Sequence, residues 1–148
     1  MKPTKYLAFG RNINVEHVAF GSRLSGAKPL GLVALEGYEL LFRGKATIER
    51  KDDGKVSAFL WELTPEDERT LDAYEQWPAL CRKEYLPVRF MGKPIQVLVY
   101  IPDESLPYAA PDSEYQETML AAYKTFKIDE HRLTKAVWRT LAKAGEQK

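Results

Sequence analysis

Apolar and polar positions change period several times along the chain, and each change marks an element. Tyr6 to Phe9 is a short apolar run that reads as a strand, with Gly10-Arg11-Asn12 as a tight glycine-containing turn after it. Asn14 is placed to cap a short helix whose narrow apolar face is Val15, Val18 and Ala19, and Gly21-Ser22 ends it early. Leu30 to Ile48 is apolar and aromatic but broken by Gly31, Gly37 and Gly44, which predicts strands with bends or bulges, one kink falling at Gly37. Asp52-Asp53-Gly54 is the clearest hairpin signal, with Val56 to Leu63 returning as a strand buried on at least one side. Thr64-Pro65-Glu66-Asp67 supplies an N-cap, a proline at the first helical position and acids in the first turn, so Pro65 to Glu75 reads as a helix that Pro78 prevents from continuing.

Two further strands, Glu84 to Phe90 and Ile95 to Ile101, are joined by the compact turn Met91-Gly92-Lys93-Pro94. Pro102, Pro107 and Pro111 bracket an irregular loop of the kind that borders sites. Asp112 or Ser113 then caps a helix with the stripe Tyr115, Met119, Tyr123 and Phe126. Asp129 opens a last helix with Leu133, Val137 and Leu141 on one face, Lys135, Arg139 and Lys143 on its solvated side and Gly145 near its end. There is no regular βαβ alternation, repeat or linker. The order predicts a single α+β domain over residues 1–148, a curved mixed or antiparallel β-sheet or small barrel flanked by helices.

Composition narrows the function classes. A chain of 148 residues can bury roughly 68–70% of its unfolded surface without staples. Its 22 basic and 21 acidic residues are interspersed and leave a formal charge of +1, so no broad footprint for nucleic acid is expected. Cys81 is the single cysteine, which excludes an intrachain disulfide and points to a reducing, cytoplasmic setting. The leading apolar run is too short for a secretory segment and no stretch approaches 18 apolar residues, so neither export nor a membrane partner is expected. His17 and His131 stand far apart with no ligand spacing around them, so no metal site is expected.

The familiar nucleophile, phosphate and zinc motifs are absent, and Cys81 has no base placed beside it by sequence. Two features carry chemistry. Glu75 closes an amphipathic helix among aromatics, where the negative helix end and burial both disfavour its charged form and move it toward the range of a general base. The Gly10 turn allows close backbone approach and suits a carboxylate or a developing oxyanion.

Tyr6-Leu7-Ala8-Phe9-Gly10-Arg11-Asn12-Ile13 resembles the Y-x-A-Y-G-S-N-L signature of the gamma-glutamylcyclotransferase-like superfamily, which includes the AIG2-like proteins. Lys28-Pro29-Leu30-Gly31 with Leu35-Glu36-Gly37-Tyr38-Glu39-Leu40 is similar to its next strand, and Leu60-Trp61-Glu62-Leu63-Thr64 precedes a helix as it does there. Leu71-Asp72-Ala73-Tyr74-Glu75 resembles L-D-x-Y-E-G, and Pro111-Asp112-Ser113-Glu114-Tyr115 resembles P-S-x-x-Y. Arg82-Lys83-Glu84-Tyr85 and Val99-Tyr100-Ile101-Pro102 are similar to the intervening strands, so the likeness covers about residues 5–127, with 128–148 left as a C-terminal helix.

The resemblance implies a cofactor-independent cyclisation of a gamma-glutamyl amine or amino acid to 5-oxoproline, in a monomer or homodimer. It implies Glu75 as catalytic acid/base, and Tyr6, Leu7, Ala8, Phe9, Gly10, Arg11, Asn12 and Tyr115 as substrate-binding residues. Arg11 replaces the usual serine, Phe9 the usual tyrosine and Gln76 the usual glycine. The Arg11 guanidinium could clamp a carboxylate or phosphate, or fill the space a serine leaves open. The competing expectation is an inactive module that captures an anionic small molecule through Arg11 and the Phe9–Asn12 loop.

Overall fold

The computed structural model describes residues 3–21 and 24–146. Its five strands are β1 (Thr4–Ala8), β2 (Lys28–Arg43), β3 (Lys45–Leu63), β4 (Cys81–Phe90) and β5 (Lys93–Pro102), in the spatial order β2-β3-β1-β5-β4. The sheet is mixed: β1 is antiparallel to β3, with Leu7 opposite Leu60, and parallel to β5, where Tyr6 pairs with Leu98. The helices are α1 (Val15–Gly21), α2 (Pro65–Tyr74), α3 (Ser113–Thr125) and α4 (His131–Glu146). This is the expected α+β architecture.

The central strand is short because its residues are almost all core. Tyr6, Leu7 and Ala8 are buried together with Leu60, Trp61, Leu63, Leu98 and Val99, and beyond Ala8 the chain leaves the sheet while Phe9, Asn12 and Ile13 stay buried. It does so through Gly10 and one 3₁₀ turn, Arg11–Ile13, then enters α1 under the Asn14 cap, whose Oδ1 accepts the His17 N–H at 2.9 Å. Ser22, half of the expected stop for α1, lies outside the described residues.

The hairpin expected at Asp52-Asp53-Gly54 is not there. β3 runs through these residues without reversing, and the chain turns instead at Gly44, whose φ is +84°. The register shows what the turn residues do: Glu36 pairs with Lys55 and Tyr38 with Arg50, so residues 51–54 bulge out opposite Gly37. Asp53 takes a left-handed φ of 65°, and a Cβ on Gly54 would collide with the Tyr38 carbonyl. Local turn chemistry there serves a bulge in a long two-stranded ribbon. The other expected turn is present but shorter than the four residues predicted: Met91 and Gly92, at φ of 51° and 78°, join Phe90 to Lys93 as a two-residue hairpin, and Lys93 and Pro94 already belong to β5.

Both inner helices begin with side-chain caps. In α3, Asp112 accepts the Tyr115 N–H at 2.8 Å. In α2, Thr64 accepts the Asp67 N–H at 3.0 Å while Asp67 accepts the Thr64 N–H at 3.3 Å and the Gly26 N–H at 3.2 Å. Thr64→Ala is expected to cost about 1 kcal/mol of stability, read as a lower urea midpoint at unchanged slope.

The last helix is rotated from its expected face. Its buried residues are Leu133, Ala136 and Thr140, whereas Leu141 is 53% exposed. Thr140 turns inward because its hydroxyl accepts the Phe42 N–H at 3.0 Å and donates to Ala136 at 2.8 Å. Arg139 is not on a solvated side: it donates to the Leu40 carbonyl at 2.9 Å and meets Glu39 at 3.1 Å, pinning α4 to β2.

Candidate active site

A recess opens where β1 leaves the sheet, and the end of α2 faces it. Its walls are Tyr6, Leu7, Phe9, Gly10, Arg11 and Asn12 from the β1 exit, Lys45 and Ala46 from β3, Tyr74 and Glu75 from α2, Tyr100 from β5 and Tyr115 from α3. Eight of the nine residues singled out from sequence therefore meet in one place. Ala8 is the exception, since it is core and does not line the recess. The space is tight, about 30 Å³ open to the centre of a water molecule.

Glu75 is held by the way its helix ends. The Gln76 N–H bonds the Ala73 carbonyl at 3.1 Å and the Trp77 N–H bonds that of Asp72 at 2.9 Å, a Schellman arrangement that fixes Glu75 as the C-cap. This closure needs a left-handed residue next, and Gln76 takes a φ of 60°. Glycine, the residue of the L-D-x-Y-E-G pattern, would sit there without strain; glutamine adopts the same backbone at a cost of about 1–2 kcal/mol.

The Glu75 side chain is only 17% exposed, and its carboxylate lies 3.9 Å from Lys45 Nζ. Burial pushes its carboxyl above the ordinary glutamate range, while Lys45 and Arg11 pull the other way without reversing the shift. The expected displacement is thus present, with desolvation as its main cause.

Tyr115 ties the loop to the sheet. Its hydroxyl accepts the Ala46 N–H at 3.0 Å and also meets the backbone N–H of Arg11, and burial pushes it up to about 12. Gly10 is required beneath it, because a Cβ there would collide with this hydroxyl and lie 3.0 Å from the Ala46 methyl. Asn12 is fixed twice: its carbonyl accepts Trp61 Nε1–H at 2.9 Å, and its Nδ2 donates to the Tyr6 hydroxyl at 3.2 Å. The Asn12 Oδ1 is buried and has no hydrogen-bond partner among the described residues.

Several neighbours carry no short-range signal in the sequence. Lys45 joins the site only because β3 passes beside it. Behind Tyr6, the Tyr100 hydroxyl donates to Asp72 at 2.6 Å, and Asp72 and Glu68 share Lys83 at 2.6 and 2.8 Å. Asp72 and Glu75 are three apart at the end of α2, a spacing that places them on one side of the helix and could have flagged Asp72. Cys81 is buried and its thiol is pushed up to about 11, mainly by desolvation, which disfavours a nucleophilic thiolate. Among the described residues no helix is long and apolar enough to cross a membrane, and no group of three His, Cys, Asp or Glu is arranged to hold a metal ion.

Comparison with known proteins bears on the family and the fold. A family model described as "Gamma-glutamyl cyclotransferase, AIG2-like" matches residues 8–124. A solved structure titled "Gamma-glutamyl cyclotransferase" superimposes with a TM-score of 0.75 at 21% identity, over 92% of this chain and 88% of the other. An uncharacterized protein from Homo sapiens gives a TM-score of 0.73 at 20% identity, over 93% of this chain and 89% of its own. An AIG2-like protein from Mus musculus gives 0.53 at 16%, over 78% and 83%. These likenesses are of fold. No curated protein gives a significant sequence match.

Proposed function

The chain belongs to the gamma-glutamyl cyclotransferase, AIG2-like family, and from that premise we propose that it cyclises a gamma-glutamyl amide to 5-oxoproline, with Glu75 as the proton carrier. The observation that carries the reading is a single glutamate withdrawn from water in the same recess as the Gly10–Asn12 loop. Cyclisation needs one carboxylate within reach of two nitrogens.

Glu75 takes a proton from the substrate α-amine as its lone pair closes on the γ-carbonyl carbon and the carbonyl electrons move to oxygen. When that tetrahedral centre collapses, the bond to the leaving nitrogen breaks and Glu75 returns the proton to it. A five-membered lactam and a free amine result, with no net proton gained or lost. No electron acceptor is called for.

The remaining groups hold the substrate folded. Tyr115 accepts from the Ala46 N–H, which leaves its O–H to donate to a substrate. Asn12 Oδ1 offers an acceptor for a substrate N–H. The Arg11 guanidinium rests on the Tyr74 and Tyr115 rings in the recess wall, 4.9 and 5.3 Å from their centroids, where it would meet an anionic group of the substrate. The purified protein should release 5-oxoproline from a panel of gamma-glutamyl compounds, read by mass spectrometry. A protein that is stabilised thermally by anionic metabolites and never turns any of them over would instead be the inactive binding module that Arg11 also permits.

A further inference from the structure

The helix that carries Glu75 is seated on the sheet by charge. In α2 only Asp67 and Leu71 are buried, and Asp67 is occupied with the cap at the far end. Glu68, Leu71, Asp72 and Glu75 follow at i, i+3, i+4 and i+7, so the face turned to the sheet carries three carboxylates and one leucine. Apolar burial has no direction, so Leu71 alone does not fix how the helix is rotated. Lys83 supplies the direction. It lies on β4 opposite Tyr100 of β5, and the two reach Asp72 together, the ammonium nitrogen at 2.6 Å and the hydroxyl at 2.6 Å. The same nitrogen is 2.8 Å from Glu68, which also accepts from the Thr4 hydroxyl of β1, and it lies 4.3 Å from the centre of the Trp77 ring. Asp72 and Trp77 flank Glu75 in the chain and are joined to each other by the Trp77 N–H on the Asp72 carbonyl. One ammonium group, on a side chain only 14% exposed, therefore ties the segment on both sides of Glu75 to β4.

We infer that Lys83 is a positioning residue for Glu75: its bridge between Glu68 and Asp72 fixes the rotation of α2, and with it the reach of the Glu75 carboxylate into the recess. The inference rests on the cyclotransferase reading for its effect on turnover. Lys83 does not line the recess, so it acts only through the helix. Without its charge, Glu68 and Asp72 are like charges one turn apart in a half-buried setting, and they repel. The helix end relieves that repulsion by turning its carboxylates toward water, and Glu75 is carried with it. A proton carrier must meet two nitrogens at hydrogen-bond distance, so a small rotation is felt in the chemical step before it is felt in binding.

The test uses Lys83→Met, which keeps the length of the side chain and removes its charge, beside Lys83→Arg and the cap variant Thr64→Ala at the other end of α2. On a gamma-glutamyl substrate Lys83→Met should lower kcat by on the order of 10- to 100-fold with KM within about threefold, because the groups that hold the substrate stay in place. Lys83→Arg keeps the charge and should recover part of the rate. Thr64→Ala loosens the helix without touching the bridge and should turn over as wild type. A wild-type kcat in Lys83→Met, or an equal loss in Thr64→Ala, overturns the inference while leaving the cyclotransferase reading standing. Should Lys83→Met not fold, Asp72→Asn takes its place, since it keeps an acceptor for Tyr100 and removes the charge that holds Lys83; a loss of kcat there supports the inference and a wild-type kcat refutes it. If the wild type releases no 5-oxoproline from any gamma-glutamyl compound, that reading falls, and crystal structures of wild type and variant decide the inference alone. A Glu75 carboxylate displaced by about 1 Å or more relative to Lys45 and the Gly10–Asn12 loop supports it, and an unmoved carboxylate refutes it.

Discussion

Glu75→Gln is expected to lower turnover of a gamma-glutamyl substrate by at least about 10²-fold, within the 10²–10⁴ range for loss of a positioned acid/base. Shape and most polar contacts persist in the variant, so the loss should lie in kcat more than in KM. The sign of its effect on stability follows from the raised carboxyl. A group that holds its proton more tightly folded than unfolded adds stability while protonated, and that contribution is lost as pH rises from the unfolded value of about 4.3 through the folded one. Once Glu75 is ionised that contribution is gone, and glutamine, which mimics the protonated form at every pH, should melt at or above the wild-type temperature. A dead variant that melts well below wild type would point to a structural role instead. In the wild type, kcat/KM should fall on acidification through a pKa above that of an ordinary glutamate. An acid limb at the ordinary value, or more than a few per cent residual activity in Glu75→Gln, would remove Glu75 from the reaction.

Gly10→Ala should produce the next largest change. The added methyl would occupy the position of the Tyr115 hydroxyl and press on Ala46, in a segment fixed by the Asn12–Trp61 bond on one side and by β1 on the other. Either Tyr115 withdraws, breaking its bond to the Ala46 N–H, or the loop shifts outward. Overpacking of this kind costs about 1–3 kcal/mol, and a displacement near 1 Å at the site can reduce turnover by about 10²-fold. The double variant Gly10→Ala with Tyr115→Phe separates the two routes. Removing the hydroxyl should recover part of the thermal stability, whereas no recovery would show that the methyl clashes with something other than Tyr115.

Much of this architecture was readable because it is local. Thr64 with Asp67, Asn14 with His17 and Asp112 with Tyr115 are caps whose partners lie within three residues, so short-range pattern places the helix starts. The resemblance of Tyr6–Ile13, Leu71–Glu75 and Pro111–Tyr115 to one family named stretches that the fold brings around one recess. Two local patterns are overridden by contacts distant in sequence. Asp52-Asp53-Gly54 has the chemistry of a hairpin and forms a bulge, because the same φ values serve both and the pairing of Tyr38 with Arg50 decides between them. Leu141 sits at helical spacing from Leu133 and Val137 yet stays exposed, since Thr140 and Arg139 turn α4 toward Phe42, Leu40 and Glu39.

The sequence by itself determined the element types, the capped ends of α2 and α3, the α+β class and the placing of an acidic residue at the end of a helix. These depend on backbone preference and on partners a few residues away, which the chain carries wherever it folds. Only the tertiary structure decided that Lys45 stands beside Glu75, that Tyr115 closes over Gly10, and that Asp72, Tyr100 and Lys83 form a network behind Tyr6. Those contacts join residues from about 10 to over 100 positions apart, and the burial that lifts Glu75 exists only once the recess has formed around it. Desolvation has no sequence period, so it becomes visible only when the strands and helices have closed around the carboxylate.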